Sequence, residues 1–221
     1  GYNTTLRFAK TSGKFRGSIG GQYVSEDYDC NDLGINFITH YSSLFGNASY
    51  RILEPTKTFN QFNTTLSYYS EFDNNSGKIQ RNELSLNTFA YNLKNDSFGV
   101  NILGRPTEIY NFYEPGSFDQ SSFFIEPKYI GAYLTYSSNY NRKFAIDIIP
   151  SYRLYDQENR ENYGLLISPR YRFNDHLLVN LDYDYYRQNN NIGRIELYEF
   201  DETNDKIFAR RNLVTHVSTL N

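Results

Sequence analysis

The chain has 221 residues and a formal net charge of −3, and its 22 tyrosines and 17 phenylalanines accompany a low mean hydropathy of −0.66. A soluble core built on Leu, Ile and Val does not combine that aromatic content with that polarity, whereas a wall with one face in lipid and the other in water does. No apolar run reaches the roughly 18 residues of a membrane-spanning helix, no basic stripe offers a nucleic-acid surface, and the single cysteine, Cys30, cannot form an internal disulfide.

Side chains change face at every residue of an extended strand, so alternation of apolar and polar residues marks a strand with two different environments. Gly1 opens directly on such a pattern and no secretory signal is visible, so the expectation is a mature product or a piece of a longer protein, with one domain over 1–221. In 1–10, Tyr2, Thr4, Leu6 and Phe8 share a face, and the turn at Thr11-Ser12-Gly13 leads into 14–25, with Phe15, Ile19 and Tyr23 in phase. A polar stretch over 26–39 follows. Alternation resumes in 40–53 through Leu44, Gly46, Ala48, Tyr50 and Ile52, and Glu54-Pro55-Thr56-Lys57 reads as a tight turn.

The segment 59–72 sets Phe62, Leu66, Tyr68 and Phe72 against Asn63, Thr65, Ser67 and Glu71. In 79–93, Leu84 and Leu86 are in phase, but Phe89, Tyr91 and Leu93 have the opposite parity, which predicts a bulge near Asn87 or Thr88. A short turn near Asp96 precedes 98–112, and 113–128 reads as a long irregular loop with two prolines. After 129–139 come three long two-faced segments, 144–155, 163–173 and 177–187. Their apolar faces carry Phe144, Ile146, Ile148, Pro150, Tyr152 and Leu154, then Tyr163 to Phe173, then Leu177 to Tyr185 in steps of two. Segments 192–201 and 206–220 complete about twelve predicted strands.

Turn lengths alternate along the chain. Short turns fall near Gly13, Pro55, Asp96, Asn141 and Asn174, and longer links fall at 26–39, 73–78, 113–128, 155–162 and 187–192; the last link, near Thr203, fits the short series least well. Outer-membrane barrels have short periplasmic turns and longer outer loops. The predicted fold is therefore an all-β, antiparallel, up-and-down transmembrane β-barrel of the porin-like kind, expected to be a segment of a larger barrel. On that rule the first strand runs toward the periplasm, Phe144 starts at the periplasmic side, and loops 26–39 and 113–128 lie outside the cell.

The polar face carries Arg16, Arg51, Glu71, Asp147, Arg153, Arg170, Arg172, Asp182 and Asp184. They read either as a charged lumen that selects solutes or binds a plug, or as a pairing network inside a filled barrel. Asp29-Cys30-Asn31-Asp32-Leu33-Gly34 resembles a calcium loop only superficially, because Leu33 stands where the fifth position needs an oxygen, and an Asx turn is the better reading. His40, His176 and His216 have no metal-site spacing. No nucleophile, base and orienting group fall within reach of one another, so no enzyme activity and no cofactor are predicted. Phe118, Phe123 and Phe124 in the long loop suit either stacking on a sugar ring or packing the loop over the barrel mouth, and packing is favoured.

Tyr28-Asp29-Cys30-Asn31-Asp32-Leu33-Gly34, Tyr50-Arg51 before a proline turn, Tyr113-Glu114-Pro115 and Phe208-Ala209-Arg210-Arg211-Asn212 resemble a Bacteroidota-type outer-membrane family of unassigned function. Its members carry an N-terminal family-9-type carbohydrate-binding-like domain before a large β-barrel. Gly116 stands where that family usually has an arginine after the Glu-Pro pair. The resemblance implies a Gram-negative outer-membrane location, with the sugar-binding-like domain having no counterpart in these residues and no activity to carry over. The expected function is a transport, channel or structural component of the envelope, with glycan handling as one role the resemblance suggests. Outer-membrane lipid, the remainder of its own barrel, other envelope proteins and a glycan are the candidate partners, and nucleic acid is not. The alternative is a soluble or surface-attached antiparallel β module for binding or adhesion.

Overall fold

The computed structural model describes residues 1–28, 40–112, 122–195 and 207–220. In chain order the strands are β1 (Asn3–Lys10), β2 (Phe15–Val24), β3 (Tyr41–Ile52), β4 (Phe59–Asp73), β5 (Ile79–Asn92), β6 (Ser97–Arg105), β7 (Ile109–Asn111), β8 (Phe124–Glu126), β9 (Tyr129–Ser137), β10 (Phe144–Tyr155), β11 (Glu161–Arg172), β12 (Leu178–Ile195) and β13 (Ile207–Leu220). Among the described residues there is no helix. Eleven strands form one antiparallel up-and-down sheet in the order β1-β2-β3-β4-β5-β6-β9-β10-β11-β12-β13, and β7 pairs with β8 as a separate hairpin in the β6–β9 connection. The sheet is open: β1 pairs only with β2, and β13 only with β12. The expected barrel is thus not closed in this structure.

Turn chemistry fixes the edge that carries the short links. Gly13 takes a φ of 83° that a side chain would strain. In the β5–β6 turn, Asn92 Oδ1 accepts the backbone N–H groups of Lys94 (2.8 Å) and Asp96 (2.9 Å), and Asn95 sits at φ 61°. Asn174 Oδ1 does the same for His176 and Leu177, both at 2.9 Å. Neighbouring short turns are tied together, since Asp96 accepts the Asn139 N–H at 2.9 Å and pairs with Arg142 at 2.9 Å.

Three expectations change. The predicted strands 177–187 and 192–201, with a loop at 187–192, are replaced by one 18-residue strand, β12, whose register shifts between Gln188 and Asn191. That merger carries the start of the β12–β13 link to the edge with the longer connections, which explains why the link near Thr203 did not fit the short series; Asp201 and Thr203 themselves lie outside the described residues. No bulge occurs at Asn87 or Thr88. Leu84 to Tyr91 pair without interruption to β6, and the register shifts fall between Phe59 and Gln61 and between Glu71 and Phe72. Phe89 and Tyr91 occupy the polar face, edge-on to each other with centroids 4.7 Å apart. Finally, the predicted strand 98–112 ends at Arg105, because Pro106 has no N–H to extend the ladder.

Two further prolines lie mid-strand on the apolar face. Pro150 opposes Leu165 and Pro169 opposes Ile146 in the unbroken β10–β11 ladder. The β9–β10 pairing lapses at Ile149 and Pro150, and the β11–β12 pairing lapses at Ser168 and Pro169. A proline nitrogen has no proton to donate, so each ring turns its defect away from the β10–β11 ladder.

Candidate functional site

The register sorts the sheet into two faces. One hydrogen-bonded row runs Arg16, Ser49, Thr65, Asn87, Asn101, Tyr133, Ser151, Gly164 and Tyr186 across nine neighbouring strands of the sheet, β2 to β12. Residues an even number of steps from that row share its polar face. The opposite face carries Leu6, Ile19, Leu44, Leu66, Leu84, Val100, Ile102, Leu134 and Leu181, all exposed, with Ile19 at 68%. Polar-face side chains are covered instead: Ser43, Glu71 and Asn162 are buried. Covered polar groups opposite exposed apolar ones mean that the sheet curves with its polar face on the concave side.

Aromatic residues fringe the apolar band at both ends. Phe15, Tyr50, Phe144, Tyr171 and Phe173 stand near the short turns, and Tyr2, Tyr23, Tyr152, Tyr163 and Tyr185 near the other edge. The Tyr2–Tyr23, Tyr163–Tyr185 and Tyr171–Phe173 rings meet at centroid distances of 5.7, 6.2 and 4.7 Å. Above Tyr152, the apolar face gives way to a hydrogen-bonded polar group: Tyr152 donates to Glu161 (2.6 Å), Asn189 donates to Glu161 (3.1 Å), and Arg187 donates to Asn189 (2.9 Å).

All nine sequence-predicted charges fall on the concave face, but they do not form one site. Asp147 and Arg170 meet through Tyr140, whose hydroxyl donates to Asp147 and whose ring lies 4.5 Å from the Arg170 guanidinium. Glu71 accepts from Tyr69 and from the buried Gln80 amide at 2.9 Å. Arg16 donates to the Gly13 carbonyl at 3.1 Å. Arg51, Arg172, Asp182 and Asp184 have no side-chain partner among the described residues. Tyrosine is the partner shared by Glu71, Asp147, Arg153 and Arg170. A phenol suits both signs: its ring face attracts a guanidinium and its O–H donates to a carboxylate.

The densest group lies at the edge away from the short turns. Arg105, Tyr129 and Tyr155 are successive register partners, and the two rings lie 5.6 Å apart. Arg105 and Arg153 both approach the Tyr129 ring, at 5.0 and 4.7 Å. Arg153 also reaches the Tyr155 hydroxyl at 3.4 Å, and Arg160 lies 4.2 Å from the Tyr155 ring. Asn162 donates to the same hydroxyl at 3.2 Å. Arg160 is only 6% exposed and donates at long range to Gln157 (3.2 Å) and Asn191 (3.4 Å), leaving its Nε without a partner. Burial lowers the Arg160 guanidinium from its ordinary value, opposed by the neighbouring Tyr155 phenol, yet an arginine stays charged under any ordinary condition. A cleft at this rim is lined by Asn159, Arg160, Glu161, Arg187, Asn189 and Asn190.

The β7–β8 hairpin stands over this group. Glu126 forms an ion pair with Arg105 at 2.5 Å and accepts from Asn111. Phe123 packs edge-on against Tyr110 (5.1 Å) and Phe112 (5.6 Å), with the Lys78 ammonium 3.8 Å from its ring, and Ile109 and Phe112 are buried. Phe124 stacks on Phe208 of β13 at 4.6 Å. Four strand spacings separate β9 from β13, roughly 20 Å along the sheet, so that contact places the hairpin across the concavity. Phe123 and Phe124 thus pack, as favoured from sequence.

Phe118, Cys30, the Asp29-to-Gly34 motif, Tyr113-Glu114-Pro115 and Gly116 lie outside the described residues. Among the described residues no three potential ligands group to hold a metal ion. Sequence reading found Arg153 but missed Arg105, Arg160, Tyr129, Tyr155 and Tyr140. The available signal was the arginine at the end of a strand just before Pro106, and the arginine just ahead of the 161–172 alternation.

A family model for a domain of unknown function, DUF5916, matches residues 1–221. No curated protein and no solved structure matches the chain.

Proposed function

The chain belongs to the DUF5916 family, and from that premise we propose that it forms the wall of a transmembrane β-barrel in a bacterial outer membrane, with the concave face lining a solute path. The carrying observation is the exposed apolar face bounded at both ends by aromatic rings. From Phe144 to Leu154 the band runs about 33 Å along β10 at ~3.3 Å per residue, or about 25 Å once tilted by about 40°, the height of the apolar belt on barrels of this kind. A soluble protein rarely leaves a contiguous apolar patch of more than a few hundred Å² to water, which weighs against the adhesion-module reading. Closure runs through the free edges of β1 and β13, whose unpaired backbone groups are not tolerated in lipid. The Glu161, Asn189 and Arg187 group then sits at headgroup level, where polar side chains are stable.

The test is migration of the full-length protein on a denaturing gel before and after boiling. A closed barrel migrates faster unboiled than boiled. Identical migration, together with recovery in the soluble fraction without detergent, overturns the proposal.

A further inference from the structure

Arg105, Arg153 and Arg160 are three guanidiniums strung along two tyrosine rings, and Glu126 is their one carboxylate partner among the described residues. A ring face attracts a guanidinium but carries no net charge, so two cations remain uncompensated. Arg160 is buried at 6% exposure with its Nε unpartnered, and the Nε of Arg105 and Oδ1 of the buried Asn162 are likewise unpartnered. Buried polar groups are normally satisfied, so the two unpartnered guanidinium N–H groups mark a place for an oxygen-bearing ligand. Arg153 and Asn162 meet at the Tyr155 hydroxyl and line, with Leu103, Ala132, Tyr133 and Ser151, a small cavity beside it.

We propose that Arg105, Arg153 and Arg160, beneath the β7–β8 hairpin, form an anion-binding station for carboxylate- or phosphate-bearing solutes at the loop-side end of the concave face. As part of a solute path, it rests on the barrel reading. A guanidinium fork matches either oxyanion in a bidentate fashion, and the hairpin's Glu126 occupies Arg105 in a way that an incoming anion competes with. Solutes without an anionic group gain nothing there.

The experiment titrates inorganic phosphate, glucuronate and, as the uncharged arm, glucose into the full-length protein folded in detergent micelles, followed by calorimetry. The variants are Arg153→Gln, Arg160→Gln and, as a control in the exposed short turn at the opposite edge of the sheet, Lys57→Gln. Saturable binding of phosphate or glucuronate but not glucose, weakened at least tenfold by Arg153→Gln and Arg160→Gln and unchanged by Lys57→Gln, supports the station; the tighter of the two anions identifies the source. Arg153→Lys and Arg160→Lys keep the charge but lose the fork, and weakened binding in either decides the matter if a glutamine variant does not fold. Absent anion binding, or equal weakening by Lys57→Gln, overturns the proposal. Heat-modifiable migration of the same preparations reports the barrel separately, so anion binding without it leaves the station standing and removes the barrel.

Discussion

Leu181→Arg probes the assignment of faces at its most sensitive point. Leu181 is 45% exposed and lies four residues from Leu177 and four from Tyr185, about 13 Å of strand on each side, so it stands near the middle of the apolar band. An arginine facing lipid at that depth costs about 2–4 kcal/mol in a transmembrane barrel, a loss of roughly 30- to 900-fold in the folding equilibrium. Asn180→Arg, one residue away, points into the concavity. Its register partner is Arg170, and like charges directly opposite cost up to about 1 kcal/mol. The expected separation between the two variants is therefore at least about 1 kcal/mol, in favour of Asn180→Arg. Urea unfolding of each protein in phosphocholine vesicles, read by tyrosine fluorescence, measures it. Equal midpoints, or a worse Asn180→Arg, refute the assignment of faces for β12 and with it the depth argument.

Tyr140→Phe keeps the ring beside Arg170 but removes the hydroxyl that donates to Asp147, and about 1 kcal/mol of stability goes with it. A double-mutant cycle with Asp147→Asn checks this, and zero coupling energy shows that Tyr140 merely covers the pair. Asp96 is held below the usual carboxylate range, first by the Asn139 N–H, then by the Asn92 amide and Arg142. Its folded value lies below its unfolded one, so its contribution is complete above roughly pH 4 and fades as pH falls through the lower folded value. Asp96→Asn removes that part of the acid sensitivity; unfolding curves at pH 7 and pH 3 that shift alike in both proteins exclude the mechanism.

The parts of the fold visible in the sequence are those where the two faces of the sheet sort side chains by parity. Segments 144–155 and 163–173 fall almost on β10 and β11 because most of their positions alternate between Ile, Leu or aromatic residues and Asp, Ser or Arg, with Ile149 and Leu166 as aliphatic exceptions on the polar parity. Parity fails where both faces meet the same medium. Gln188, Asn189, Asn190 and Asn191 look like a loop, yet Gln188 and Asn189 still pair with Asn162 and Glu161 of β11, and only from Asn190 onward does β12 run past its last β11 partner; four polar residues in succession carry no parity contrast. Phe89 and Tyr91 broke the pattern for another reason: their rings pack with each other on the polar face, and Gly99 opposite Phe89 leaves room. The Arg105–Tyr129–Arg153–Tyr155–Arg160 array was not legible because its members come from three strands and a turn. Only the register shows that Tyr129 and Tyr155 are neighbours, and alternation within one strand says nothing about alignment between strands.

The two mid-strand prolines give the wall an uneven grain. Pro150 and Pro169 leave the β10–β11 ladder whole and interrupt the ladders on either side of it. The gaps in pairing therefore lie along two parallel creases, one beside β9 and one beside β12, with β10 and β11 joined between them. Amides of β9 and β12 next to those creases are expected to exchange with deuterium sooner than those shared by β10 and β11, and equal rates speak against the creases. Arg153 and the Tyr155 ring are carried by β10, on the uninterrupted side of the crease beside β9.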